Sequence, residues 1–196
     1  MFRFYPLLPR EKGMSDPERM LAATTTKGAA MCWQCDHPEA TASDYLDLVY
    51  GRILRKGWTV QYVESEPTPF AYTIGLHDCG LPELLITAVD PQRALLVLNT
   101  VAEYCIAHDG PVLPGDFMTL PDQLIEFVEV SQPDAHMGIA IAIYGRDVRA
   151  LQLVWADADF EFPWSAAFNP GGVRQPVLGQ RETRCPLHRS KPQAPK

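Results

Sequence analysis

The sequence predicts an α+β fold in a single domain, with a mainly antiparallel sheet packed by two or three helices. The chain has 196 residues, of which 46% are hydrophobic and 21% charged, and this is the size and composition of one globular domain. Short alternating segments mix with helical ones without a strict strand–helix–strand rhythm, which indicates antiparallel pairing. No phosphate-binding glycine loop follows a predicted strand, so a nucleotide-binding fold has no support.

The predicted domain spans residues 31–189. Residues 1–30 are rich in Pro, Met, Thr and Ala and show no lasting periodicity, so we expect a disordered or extended N-terminal segment. Residues 190–196 are expected to form a flexible basic tail.

The first helix is predicted over residues 43–56. Thr41 and Ser43 are suitable caps, the apolar residues between them and Gly57 recur at helical spacing, and Gly57 is placed to end the helix. Residues 58–62 then alternate between apolar and polar, which predicts a half-buried strand.

Two further strands are predicted over residues 70–74 and 84–89, on either side of a loop rich in Gly and Pro. Asp90 and Pro91 together form a strong helix start, with Asp as the cap and Pro in the first turn. This second helix is expected to run to about Ala107 and to be well buried, because it is apolar on more than one side.

The remaining elements are less regular. Residues 109–121 contain several prolines and are predicted to form a loop, followed by strands over 124–130 and 150–155. Residues 135–144 fit both a strand and a helix, and the helix is favoured partly by the family resemblance described below. From residue 157 onward the chain reads as loop, with Phe162 and Trp164 as packing anchors.

The charge pattern limits the partners. The net charge is −7, which repels phosphate backbones, so nucleic-acid binding is disfavoured. No apolar run approaches the roughly 18 residues of a membrane helix, and we expect no membrane contact and a cytoplasmic location. Only the end of the chain is locally basic, through Arg181, Arg184, Arg189, Lys191 and Lys196.

Two short motifs predict a metal site. Cys32 and Cys35 form a CxxC pair, and Cys185 and His188 form a CxxH pair, so together they supply the four ligands of a closed tetrahedral site. Thiolates favour zinc or iron, and His37 is an alternate ligand. We expect a structural zinc ion that ties the two ends of the domain together. There are two alternatives: the CxxC pair carries out redox chemistry, or both motifs are ordinary surface and tail residues that bind no metal.

A weaker pattern could carry catalysis. His77 and Cys79 lie two residues apart in the loop after the second predicted strand, with Glu83 beyond, and His136 is a candidate distant partner for a nucleophile–base pair. An exposed Gly/Pro-rich turn is the more common explanation of such a loop. A third group is aromatic and suits either core packing or a partner surface; its members are Tyr72, Trp155, Phe162, Trp164 and Phe168.

Several segments in combination resemble a bacterial family catalogued as domain of unknown function 4262, over residues 32–180. The segments are FAYTIGL at 70–76, LPEL at 81–84, a helix bearing Asn99, YG at 144–145, LQLVWAD at 151–157 and FPW at 162–164. The resemblance implies kinship and supplies no activity. A shorter similarity, to the suppressor-of-fused-like group, implies action by binding other proteins, as a fold-level analogy.

The sequence therefore predicts an uncharacterised cytoplasmic protein, a zinc-stabilised binding or regulatory module that acts through protein contacts. The motivation is that the best ligand cluster is coordinatively full and that no catalytic constellation stands out. The alternative is a small enzyme, a hydrolase or redox protein, using His77, Cys79 and His136 or an open metal site.

Overall fold

The structure is a computed structural model, and it describes residues 3–7, 37–66, 68–108, 112–121, 123–169 and 171–182. Its centre is a seven-stranded sheet in the order β1-β2-β3-β4-β7-β6-β5. The strands are β1 Arg3–Leu7, β2 Thr59–Glu64, β3 Phe70–Ile74, β4 Glu83–Thr87, β5 Phe117–Leu120, β6 Gln123–Glu129 and β7 Ala150–Trp155. Neighbouring strands are antiparallel except for β4 and β7, which are parallel. The predicted α+β fold with a mainly antiparallel sheet is confirmed.

Four helices connect or follow these strands in the described part of the chain: α1 Ala42–Lys56, α2 Pro91–Ala107, and the short α3 Pro133–His136 and α4 Gly138–Tyr144. A 3-10 turn spans Leu76–Cys79. Thr41 and Asp44 form a reciprocal capping box at the start of α1, and Asp90 caps α2 through the backbone N–H groups of Gln92 and Arg93. These local signals explain why both long helices begin where the sequence predicts.

Helix α2 covers one side of the sheet, which we call the first face. Its buried side chains pack on alternating residues of β2, β3, β4, β6 and β7. Cys105 belongs to this cluster as a small buried apolar residue, and burial raises the pKa of its thiol. Only the face of α2 towards the sheet is buried, whereas Leu96, Tyr104 and Ile106 are exposed on its outer side, so the predicted burial is confirmed for one face of the helix.

The opposite side of the sheet, the second face, has two kinds of cover. Helices α1 and α4 pack over β2, β3 and β4, in a cluster that includes Tyr45, Tyr72 and Met137, and His136 of α3 contacts Phe70 of β3. The chain after β7, which has no regular secondary structure, covers β6 and β7. The second half of this face is therefore closed by a single extended length of chain instead of a helix.

Asn99 ties α2 to the end of α1. Its Oδ1 accepts hydrogen bonds from Lys56 Nζ at 2.8 Å and Trp58 Nε1 at 2.9 Å, while its Nδ2 donates to Leu95 O. The Lys56 ammonium also lies 4.7 Å from the centre of the Trp58 ring. The asparagine that carries part of the family resemblance thus has a structural role in joining two helices.

Three segments differ in detail from the sequence prediction. Residues 117–120 form strand β5, although residues 109–121 were expected to be a loop, because the proline-rich surroundings conceal a four-residue strand. Residues 135–144 are helical, as favoured, but Met137 separates two short helices. Residues 3–7 pair with β2 as an edge strand, while residues 8–36 and 183–196 lie outside the described part of the chain.

None of the helices in the described part of the chain is both long enough and apolar enough for a membrane crossing.

Candidate functional site

The buried carboxylate of Glu83 organises the turn between β3 and β4. Its Oε1 accepts hydrogen bonds from the backbone N–H groups of Gly75 at 2.8 Å and His77 at 3.1 Å, and its Oε2 accepts one from Thr73 Oγ1 at 2.6 Å. Burial raises the pKa of Glu83, and these hydrogen bonds oppose that rise. The side chain therefore acts as an internal anchor that fixes the turn carrying His77 and Cys79.

Gly75 is required where this turn passes the end of α1. Its φ is +127°, and an added Cβ would lie 2.4 Å from the carbonyl oxygen of Gly57 and 2.7 Å from the Cα of Trp58. Both the backbone conformation and the close approach exclude a side chain. The glycine of the TIGL segment is thus explained by packing.

The exposed side of the turn carries a small polar group. The His77 ring centre lies 4.9 Å from that of Tyr144, and the Tyr144 hydroxyl donates a hydrogen bond to Asp78 Oδ2 at 2.8 Å. Burial, with Asp78 as a further cause, raises the pKa of Tyr144, so the hydroxyl stays protonated as a donor. Cys79 is exposed on the same turn.

The third predicted catalytic residue, His136, contacts the other end of β3. Its ring meets the Phe70 ring edge-on at 6.2 Å, and burial lowers its pKa. Phe70 begins β3 whereas His77 follows its end, and four steps along a strand span about 13 Å. Among the described residues, no hydrogen bond or ring contact joins His136 to His77 or Cys79. Catalysis by this trio stays a prediction without a supporting contact.

The predicted zinc ligands Cys32, Cys35, Cys185 and His188 lie outside the described residues. The alternate ligand His37 is exposed at the start of the described chain before α1. Over residues 37–182, apart from the short gaps in the description, no three His, Cys, Asp or Glu side chains are grouped so that they could hold a metal ion. The zinc site stays a prediction.

A second polar centre lies under the chain that covers β6 and β7. We call residues 175–181 the C-terminal strap. Gln152, fully buried in the middle of β7, donates from Nε2 to Pro176 O at 2.7 Å and accepts at Oε1 from Leu178 N at 2.7 Å. Thr87 Oγ1 also donates to Pro176 O, at 3.0 Å. Buried side chains of the sheet thus bind the backbone of the strap.

The two ends of the strap are bound through side chains. At one end, Gln175 accepts from Trp155 N at 2.9 Å and donates to Trp155 O at 2.8 Å. At the other end, Arg181 Nε donates to Glu126 Oε1 at 2.7 Å, in an ion pair whose carboxylate is buried. Glu126 Oε2 is also buried and has no hydrogen-bond partner among the described residues.

Aromatic side chains form a continuous surface beside the end of the strap. Phe117 of the edge strand β5 meets Phe162 at 5.9 Å, Phe162 stacks on Trp164 at 4.9 Å, and the Arg181 guanidinium lies 4.7 Å from the Trp164 ring centre. Phe162 is buried, but Phe117 is 53% and Trp164 38% exposed. We call Phe117, Phe162 and Trp164 the aromatic surface. Of the other predicted aromatic residues, Tyr72 lies in the core, and Trp155 contacts Phe168.

Sequence reasoning missed Gln152, Gln175 and Glu126, which build the strap contacts. A signal existed for two of them, because Gln152 and Glu126 interrupt apolar strands, and a polar residue buried in a strand must find a hydrogen-bond partner. Nothing local in the sequence identifies Gln175, whose partner lies 20 residues earlier.

Comparison with known proteins places the chain in a family. A model described as a domain of unknown function, DUF4262, matches residues 52–169, which is more than half of the chain. Compared with curated proteins and with solved structures, the chain finds no match in either set. The matched range includes the turn anchored by Glu83, Asn99 of α2 and the aromatic residues after β7. The chain therefore belongs to the DUF4262 family, as the resemblance of these segments predicts.

Proposed function

We propose that the protein is a cytoplasmic binding or regulatory module that acts through protein contacts and is stabilised by a zinc ion. The observation that supports the protein contacts best is the aromatic surface, because two large apolar side chains that neighbour a buried ring remain open to solvent. Aromatic residues and Arg are enriched in protein–protein interfaces, and Trp and Arg are enriched among the few residues that contribute most to affinity.

The position of the aromatic surface supports this proposal further. Phe117 belongs to β5, which is the last strand of the sheet and pairs only with β6 among the described residues. An edge strand offers backbone N–H and C=O groups to a partner strand. Aromatic anchors next to such an edge combine apolar burial with backbone hydrogen bonding, which is a common way of binding an extended partner segment.

The proposed zinc ion is supported by the positions of the described chain ends. Helix α1 comes directly before β2 and packs antiparallel to it. The first residues of α1 therefore lie towards the C-terminal end of β2. Following the register across the sheet, Val63 of β2 is level with Phe70 of β3 and with Glu126 of β6. Glu126 binds the end of the strap, so the strap ends at the same edge of the sheet at which α1 begins. The lateral gap of four strand spacings is about 19 Å. The chain segments that connect α1 and the strap to the two ligand motifs are short, but they are long enough to close this gap.

A cross-linking experiment tests the protein contacts. With a photoreactive phenylalanine analogue at position 117 or 164, we expect cross-links to the same protein in the native host. The analogue at position 54 is the control, because Leu54 is 71% exposed on α1, away from the aromatic surface. Equal cross-linking at position 54, or none at 117 and 164, contradicts a partner surface at this place.

Metal analysis tests the proposed zinc site. Protein purified without added metal is expected to contain about one zinc ion per chain. The Cys185→Ser variant is expected to lose the ion and to melt at a lower temperature, because a closed zinc site contributes directly to folding stability. Cys79→Ser, which changes an exposed cysteine of the turn, is the control and is expected to retain the ion. Metal-free wild-type protein contradicts the site.

A further inference from the structure

We propose that the groove under the C-terminal strap binds an extended segment of a partner protein, and that residues 175–181 occupy it as an internal ligand that the partner replaces. The inference rests on the proposed function, since it names the chemistry of a partner for a module that acts through protein contacts. The partner segment carries the pattern of the strap itself, Gln-Pro-apolar-apolar-Gly-x-Arg.

The middle of the groove recognises backbone. Gln152 uses both ends of one buried carboxamide, one for the carbonyl of Pro176 and one for the N–H group of Leu178. In an extended chain the C=O of one residue and the N–H of the second residue after it point to the same side, so any extended segment can present this pair. The Pro176 position needs no N–H donor, which makes it compatible with proline.

Two positions of the strap are selective for the side chain. The hydrogen bonds of Gln175 to both backbone groups of Trp155 require a donor and an acceptor on one side chain, which a carboxamide supplies. At Gly179 an added Cβ would lie 1.8 Å from the carbonyl oxygen of Glu129, so only glycine fits there. Between them, Val177 and Leu178 pack against the apolar clusters of the second face.

The buried negative charge of Glu126 explains why the strap carries an arginine at position 181. The carboxylate of Glu126 is 1% exposed, so leaving it without a cation would be costly, and Arg181 supplies one hydrogen bond to it. Glu126 Oε2 lacks a partner among the described residues, although one guanidinium can bond both oxygens of a carboxylate. Within residues 175–181, Arg181 thus binds one of the two carboxylate oxygens of Glu126, and a partner arginine that contacts both oxygens would bind more tightly.

The first residues of the strap adjoin an open cavity of about 450 Å³. It is lined by Pro163, Phe168, Val173, Arg174 and residues 175–177, so the strap itself forms part of its wall and is open to solvent on that side. Replacement of the strap would move Arg181 away from the Trp164 ring and so uncover more of the aromatic surface. Groove and aromatic surface then form one contact region.

A peptide-binding experiment tests the inference. The ligand is a fluorescently labelled synthetic peptide of residues 173–182, and the receptors are the full-length wild type and the full-length Gln175→Ala variant. The substitution weakens the binding of the variant's own strap and leaves the groove unchanged. We therefore expect the variant to bind the peptide about tenfold more tightly than the wild type, which corresponds to about 1.4 kcal/mol of binding free energy. Arg181→Ala is a second receptor that tests the same step at an exposed side chain.

Substitutions in the peptide provide controls that leave folding of the protein unchanged. The peptide with Gly179→Ala is expected to lose binding at least tenfold, whereas the peptide with Gln180→Ala, at an exposed position, is expected to bind like the parent. The inference is overturned if neither folded variant binds the peptide, if the Gly179→Ala peptide binds equally well, or if the variants form dimers that the peptide cannot dissociate. Persisting cross-links at position 117 would then show that the aromatic surface still binds a partner.

Discussion

Replacement of Gly179 by alanine is expected to lower the free energy of unfolding by about 3 kcal/mol, an overpacking effect at the upper end of the usual range. The added Cβ would lie 1.8 Å from the carbonyl oxygen of Glu129 and 3.4 Å from Val128 Cγ1. The backbone of Glu129 cannot move aside as a flexible side chain can, so the strap would have to move away from β6 to make room for the added methyl group. Chemical denaturation followed by circular dichroism measures the change.

Gly138 is the matched control for this prediction. It is a glycine at the start of α4, and an alanine Cβ there would meet no atom within 4 Å. Alanine is the better helix former by up to about 1 kcal/mol, so Gly138→Ala is expected to be neutral or slightly stabilising. A Gly179→Ala protein as stable as Gly138→Ala would mean that the strap does not lie against β6.

Replacement of Glu83 by alanine is expected to lower the free energy of unfolding by about 4 kcal/mol, because buried donors lose a charged acceptor. The Thr73 hydroxyl and the N–H groups of Gly75 and His77 would all be left without their partner. Thermal and chemical unfolding measure the loss. Glu129→Ala, at the exposed end of β6, is the control and is expected to change stability by less than about 0.5 kcal/mol.

Glu83→Gln separates hydrogen bonding from charge. The amide oxygen can still accept from both backbone N–H groups, but the amide nitrogen would face Thr73 Oγ1, which already accepts from Leu84 N. We expect an intermediate loss of about 1–2 kcal/mol, because one donor loses its acceptor. If Glu83→Ala were no more damaging than Glu129→Ala, the carboxylate would not be the anchor of the turn.

The fold was largely predictable because its strongest elements carry local signals. The caps of α1 and α2, at Thr41 and Asp90, and the alternation of residues 58–62 are visible in the sequence itself. The alternation located β2 correctly, but the strand is buried on both faces and not half-buried, because helices cover both sides of the sheet there. Strand β5 was not predictable in this way, because it has only four residues, lies between Pro114 and Pro121, and is stabilised by pairing with β6 instead of by a local signal.

The candidate site was predictable only in part. Glu83 and the turn of His77 lie in one conspicuous segment, so their proximity follows from the chain itself. The groove depends on pairs distant in sequence, such as Gln152 with Leu178 and Glu126 with Arg181, which are 26 and 55 residues apart. Only the folded sheet brings such residues together, and periodicity within a segment carries no information about them.

Hydrogen exchange of the strap, followed residue by residue by NMR, tests the central claim most directly. The claim predicts that the amides of Leu178 and Ser131, which donate to Gln152 Oε1 and Leu178 O, exchange more slowly than the amide of Val173. It also predicts that they exchange faster than the amide of Leu85 in β4, through an opening that frees the strap while the sheet stays folded. Unprotected amides would show that the strap is not bound. Exchange of Leu178 only together with Leu85 would show that it is part of the core and no replaceable ligand.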